Sequence, residues 1–277
     1  MPSPPDAPVR ILLLGGTGEA RALAAALAGD DDVTVISSLA GRVQRPALPV
    51  GELRVGGFGG VDGLVEYLRS ERIDAVVDAT HPFAGAISGN AVAATGGIAL
   101  PLLVLRRPGW SAEPGDEWHR VPDITAAAAV AQRLAPPGSC IFLTTGRRDL
   151  SPFAADSEHT YLIRSVDPPV VDLPPRHVLL LDRGPYTLDG ELALLREHDV
   201  RVLVSKDSGG EMTYPKLVAT RQISIPVVLV DRPAPPPAGV PLTESVDAAA
   251  RWCRRLVTPA GTTDWARHPA QSDRTLG

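Results

Sequence analysis

Short apolar runs that alternate with helical patterns constrain this chain more than any other feature. VTVIS (33–37), ELRV (52–55), DAVVDA (74–79) and LPLLVL (100–105) are too brief for helices and are bounded by turn residues. Runs of that length and composition read as buried strands. Helical patterns lie between them, near 18–28, 61–70 and 84–95. After the turn-rich RRPGWSAEPGDEW the scheme restarts with a helix over 123–134 and the strand CIFLTT over 140–145. Strands near 160–164, 178–181 and 201–205 follow, with a helix near 189–197 and a late strand, PVVLV, over 226–230. Such alternation predicts an α/β protein with parallel sheets flanked by helices. RPAPPPAGVP (232–241) reads as a rigid connector and VDAAARWCRRLV as a closing helix. The polar stretch 258–277 is expected to be disordered.

The two halves echo each other. His81 and Lys206, Pro101 and Pro226, and Pro108 and Pro233 are each separated by 125 residues. ILLLGGTGEA and IFLTTGRRDL occupy matching places as well. Two Rossmann-like domains facing a shared cleft are therefore expected, over 1–108 and 109–257, with strand 226–230 free to pair with either sheet. Ligands of such sheets bind outside the carboxyl ends of the strands.

The first half opens with VRILLLGGTGEARALAAAL, a strand running through a glycine turn into a helix. Counted from Gly15 the turn reads G-x-x-G-x-A, which departs from the usual G-x-G-x-x-G register. It remains a turn that can hold a phosphate at a helix N-terminus. The second strand ends VISSLAGR, with Ser37, Ser38 and Arg42 and no carboxylate. An acid there would take a ribose 2′-hydroxyl, whereas hydroxyls and a guanidinium suit a 2′-phosphate, so NADPH is expected over NADH.

Composition excludes several classes. A net charge of −5 argues against a nucleic-acid binder. MPSPPDAP lacks the apolar segment of a signal peptide and no run approaches membrane-spanning length, so a cytoplasmic protein is expected. Cys140 and Cys253 are too few for a disulfide framework, the histidines never pair at ligand spacing, and no metal site is expected.

The second half carries arginines where the first has glycines. Gly146 is followed by Arg147 and Arg148, and Arg164 and Arg183 lie at or beyond later strands. Guanidiniums at the carboxyl ends of one sheet suit a polycarboxylate, each forking onto a carboxylate, although solvated surface charge is the plainer reading. Among 27 basic residues the only lysines, Lys206 and Lys216, both fall in SKDSGGEMTYPK. That stretch reads as a loop holding point charges, made pliable by Gly209 and Gly210 and able to order over a bound ligand.

LLGGTGEAR, DATHPFA, TTGR and SKDSGGEMTYPK together resemble the precorrin-6A reductases of cobalamin biosynthesis, over about residues 9 to 233. The resemblance implies an NADPH-dependent oxidoreductase acting on a CH–CH group. Its hydride would go to one ring carbon of precorrin-6A and a proton to the neighbouring carbon, giving precorrin-6B. It further implies coenzyme on the N-terminal domain and tetrapyrrole between the domains. Gly15, Gly16, Thr17, Gly18, Glu19 and Ala20 would then surround the pyrophosphate, and Ser37, Ser38 and Arg42 would take the adenosine end. Thr80, His81, Pro82 and Phe83 would meet the nicotinamide ribose. Arg21, Arg147, Arg164, Lys206, Ser208, Gly209, Gly210 and Lys216 would hold the substrate. His81 and Lys206 are candidates for the catalytic role. A cobalt-precorrin-6A reductase, another NADPH-dependent reductase and an NADPH sensor are the alternatives. Neighbouring pathway enzymes are possible partners on this reading.

Overall fold

The computed structural model describes residues 7–40 and 49–257, and the apolar runs form two sheets. The first contains β1 (Val9–Leu14), β2 (Val33–Leu39), β3 (Glu52–Val55), β4 (Ala75–Asp78), β5 (Leu102–Leu105) and β12 (Leu242–Thr243). The second contains β6 (Trp118–Val121), β7 (Cys140–Thr144), β8 (Thr160–Ser165), β9 (His177–Leu181), β10 (Val200–Lys206) and β11 (Val227–Val230). Their orders are β12-β5-β4-β1-β2-β3 and β6-β11-β10-β7-β8-β9, and the recorded pairings are parallel. The two orders match strand for strand. β5 and β11 are separated by 125 residues at both ends, as the sequence echo requires.

Helices cover both faces of each sheet. In the first domain α1 (Gly18–Leu27) and α7 (Val246–Arg255) share one apolar cluster with Ile11, Leu13 and Val77. On the other face α2 (Val61–Ser70) and α3 (Gly85–Gly97) bury Leu64, Leu68, Ala91 and Ala94 against Leu12, Leu14 and Val76. In the second domain α4 (Ile124–Leu134) covers one face, and α5 (Leu188–Glu197) and α6 (Pro215–Gln222) cover the other. Four of these helices begin on a side-chain cap: Thr17, Asp123, Thr187 and Ser245 each accept a hydrogen bond from the amide three residues on. Residues 11–14 of β1, 75–77 of β4 and 102–105 of β5 are buried on both faces, so they read as unbroken apolar runs rather than alternating ones.

The expected domain boundaries need correction. Strand 226–230 stays in the second sheet, between β10 and β6. The chain then returns, so that β12 pairs with β5 and α7 packs on α1, with Ala249 and Cys253 fully buried. Residues 242–257 therefore belong to the first domain. Without β12, β5 would be an open edge; with it, the amides of Val104 and Arg106 donate to the carbonyls of Pro241 and Thr243, both at 2.9 Å. The sequence reading also missed β6 and α6. SKDSGGEMTYPK is not one loop: it contains the end of β10, a turn, a 3-10 turn over Glu211–Thr213 and the start of α6. The expected disordered stretch 258–277 lies outside the described residues.

The chain thus crosses between domains twice, over 106–117 and 231–241, and each crossing grips the other. Arg106 donates to the carbonyls of Pro233 (2.8 Å) and Ala234 (3.3 Å). Arg232 donates to those of Arg107 (2.6 Å) and Pro108 (2.8 Å). Gly209 sits beneath this junction with φ +63°; a Cβ there would stand 2.1 Å from the Pro108 carbonyl oxygen and 2.4 Å from Arg232 Nη2. Its glycine serves close approach rather than pliability. Gly209→Ala is expected to cost more than about 2 kcal/mol, through left-handed strain and displacement of the crossing. Urea denaturation would measure it, and an unchanged midpoint would mean that the junction yields at no cost.

Candidate functional site

The site is built from loops at the carboxyl ends of the strands, which meet across the domain junction. β1 ends in the glycine turn. There Gly16 adopts φ +112° with no atom within 4 Å of a built Cβ, and Gly15 lies against Ala20, Leu39 and the Ser38 carbonyl. Thr17 ties this turn down twice. Its hydroxyl donates to the Ala79 carbonyl at 2.7 Å and accepts from the Ala20 amide at 3.1 Å. The cap serves one of the first amides of α1, the Ala20 amide. An unfilled cradle of amides at a helix N-terminus fits a pyrophosphate.

After β4 the chain turns through Thr80, His81, Pro82 and Phe83. The buried Asp78 carboxylate accepts from the Thr80 amide (3.0 Å) and hydroxyl (2.7 Å), fixing the turn. Phe83 leaves its own domain and packs against the core cluster of the second. The Lys206 ammonium stands 4.9 Å from the Phe83 ring centroid and is paired with Asp149 at 2.7 Å. His81 is thereby brought among cations of the other domain and of the crossings. Burial first, and then the charges of Arg107, Lys206, Arg232 and Lys216, lower its pKa to about 3. The ring is neutral at pH 7. Its Nδ1 accepts from the Phe83 amide at 3.3 Å, which assigns the proton to Nε2. A histidine held neutral in this way is suited to donating a hydrogen bond from Nε2.

Four other residues expected at the site, Ser37, Ser38, Arg164 and Lys216, are buried. Ser37 and Ser38 lie inside β2, which runs on to Leu39, and are buried; the Ser37 Oγ has no hydrogen-bond partner. Ser38 is level with Leu14, the last residue of β1. Arg42 lies outside the described residues. Arg164 is buried and bound to Glu191 by two contacts of 2.6 and 3.2 Å, with its guanidinium 3.7 Å from the Tyr186 ring centroid. That fork already holds a carboxylate, that of Glu191. Lys216 is 4% exposed on α6, 5.0 Å from the Trp110 ring centroid. Burial and the nearby Arg164 lower its pKa to about 7, with Glu191 opposing.

Arg147 and Gly146 follow β7 as expected, both part-exposed at the carboxyl edge. Arg21 is part-exposed on α1, one turn beyond the glycines. Ser208 and Gly210 do not approach the site as a loose loop. The Ser208 carbonyl accepts from Arg107 Nε at 2.7 Å, and that of Gly210 accepts from Trp110 Nε1 at 3.2 Å.

Asp207 escaped the sequence reading, as did the partner of Arg107, an arginine that the sequence places near the hinge. Asp207 is buried and accepts from Arg120 (2.9 Å) and from the Trp110 amide (3.0 Å), with Arg232 at 3.7 Å. Arg107 reaches from the first crossing to Glu19 at 2.8 Å. An Asp following a strand and two arginines in a proline-rich connector carry no local signature, because their partners lie about a hundred residues away.

Comparison with known proteins follows the same outline. Residues 10–254 match the family model described as precorrin-6x reductase CbiJ/CobK. The precorrin-6A reductase of Rhodococcus erythropolis is 53% identical over 241 residues, covering 87% of this chain and 94% of that protein. A solved structure of a CobK precorrin-6A reductase superposes with a TM-score of 0.80 at 41% identity, over 90% of this chain and 97% of that one. The cobalt-precorrin-6A reductase of Priestia megaterium is more distant, at 31% identity over 241 residues, covering 80% of this chain and 90% of that protein. The chain belongs to the precorrin-6x reductase family, CbiJ/CobK.

Proposed function

We propose that this protein reduces precorrin-6A to precorrin-6B in cobalamin biosynthesis with NADPH as the hydride donor. The observation that carries the reading is the meeting of an open glycine turn in one domain with a cluster of cations in the other, across one junction. When bound, the reduced nicotinamide supplies the hydride; the chain supplies orientation, charge and exclusion of water. Gly16, Thr17 and Gly18 would hold the pyrophosphate through backbone amides, with the turn fixed by the Thr17–Ala79 contact. His81, neutral and donating from Nε2, would orient a polar group at the nicotinamide end rather than deliver a proton. Arg147, Lys206 and Arg21 would face the substrate carboxylates, since a tetrapyrrole with many acid side chains needs several cations. The cobalt-free substrate is preferred because relatives named for it stand at higher identity than those named for the cobalt form. No helix among the described residues is long and apolar enough to cross a membrane. On this reading the enzyme works in the cytoplasm beside the enzymes that make and consume its substrate.

The test uses two readouts. NADPH absorbance should fall only when precorrin-6A is added, and Gly18→Asp should weaken NADPH binding at least about tenfold by setting a carboxylate where the phosphates dock. Gly18 has room for it: a built Cβ meets only Arg21 Nη2, at 3.9 Å. Consumption of NADPH with a tetrapyrrole-free carbonyl substrate instead would overturn the assignment.

Lys216 gives a pH signature. Its pKa is lowered to about 7 in the fold from an ordinary 10.5. Between those values the unfolded chain binds the proton and the folded protein does not, so stability rises with pH across that window. Below about pH 7 both states are protonated and the fold carries the full cost of a buried ammonium. Lys216→Met should therefore flatten the rise in unfolding free energy between pH 7 and 10; an identical slope in both proteins would place the amine in water.

A further inference from the structure

An acid stands where an anion is meant to dock. Glu19 is the second residue of α1, in the first turn of the helix whose amides form the phosphate cradle. A free carboxylate there would repel an incoming phosphate and compete with it for the same amides. In the structure it is not free: Arg107 Nη1 lies 2.8 Å from Glu19 Oε2. The two side chains are only 17% and 24% exposed, so salt screens the pair less than a surface pair. The same guanidinium donates from Nε to the Ser208 carbonyl at 2.7 Å. It is also seated against the turn at Gly210, where a built Cβ would stand 3.1 Å from Nε. Arg107 belongs to the first crossing, not to the coenzyme domain's own sheet, and it reaches Glu19 because the crossing is anchored on the second domain.

We propose that Arg107 is the counter-charge that makes the glycine turn permissive for an anion, by holding the Glu19 carboxylate neutralised and away from the amides of α1. This rests on the reading that NADPH docks at that turn. Its consequence is that coenzyme affinity depends on a residue positioned by the substrate-side turn, without that residue touching the coenzyme.

A double-mutant cycle on the full-length protein decides it, read by NADPH fluorescence titration at low and moderate salt. Arg107→Ala should weaken NADPH binding by about tenfold at low salt and by less at moderate salt. Glu19→Gln should bind at least as tightly as the parent. The double variant should return to within about threefold of Glu19→Gln, because no uncompensated acid remains. Arg107→Lys, which keeps the charge, should retain affinity within about threefold. Thermal melting of each variant separates loss of binding from loss of fold. A double variant as weak as Arg107→Ala would overturn the proposal, since the arginine would then contact the coenzyme or prop the turn. Undiminished binding by Arg107→Ala would overturn it too. If Gly18→Asp leaves NADPH binding untouched, the coenzyme reading fails and this inference with it. If Gly18→Asp weakens binding but Arg107 and Glu19 show no coupling, the inference fails alone.

Discussion

The mutual grip of the two interdomain crossings is the contact on which the rest depends. Arg106 and Arg232 each donate to backbone carbonyls of the opposite crossing, at 2.6 to 3.3 Å. Backbone carbonyls are acceptors that no side-chain change removes, and a guanidinium's planar fork can serve two of them at once. Asp207 completes the knot from the second domain with contacts to Arg120, the Trp110 amide and Arg232. Everything in the site is referenced to this knot. It fixes where Arg107 reaches, how Phe83 enters the second core, and how far apart the two carboxyl edges lie. A fully buried ion pair would need near-perfect geometry to offset desolvation, whereas these part-exposed guanidinium–carbonyl contacts carry less of that cost.

The same junction gathers charge. Lys206, Lys216, Arg107 and Arg232 all act on His81, and together with burial they keep it neutral. The chain meets the cost of concentrating cations by pairing some of them internally: Arg164 with Glu191, Lys206 with Asp149, Arg107 with Glu19. The acids among these cations are therefore part of the junction's construction. They hold the cations in position when no ligand is bound.

How much of this was legible in the sequence follows from the range of each interaction. The buried parallel strands declared themselves because their apolar residues run on with little alternation. The 125-residue echo was legible because β5 and β11 occupy equivalent places in their sheets. The fate of β12 was not: a strand of two residues, Leu242–Thr243, has no periodicity to read, and its partner β5 lies far back in the chain. Edge strand β6, with Arg120 exposed in its middle, was hidden for the same reason. Arg164 and Lys216 were expected to hold substrate carboxylates; their burial was not legible, because Glu191 and Trp110, which lie against them, come from other elements.

The return of the chain to its first sheet has a bearing on how the protein is made. Residues 118–230 hold every strand of the second sheet in one continuous stretch, whereas the first sheet draws on both 9–105 and 242–257. A chain emerging from the ribosome begins the first domain earlier yet completes it later. Until residues 242–257 appear, β5 is an open edge and the apolar face of α1 has no α7 to cover it. The domain started second can close on its own, and it then anchors the crossing that brings the last strand home. Assembly of the glycine turn's surroundings thus waits for residues 242–257, so a chain that stops before them leaves the first domain unfinished.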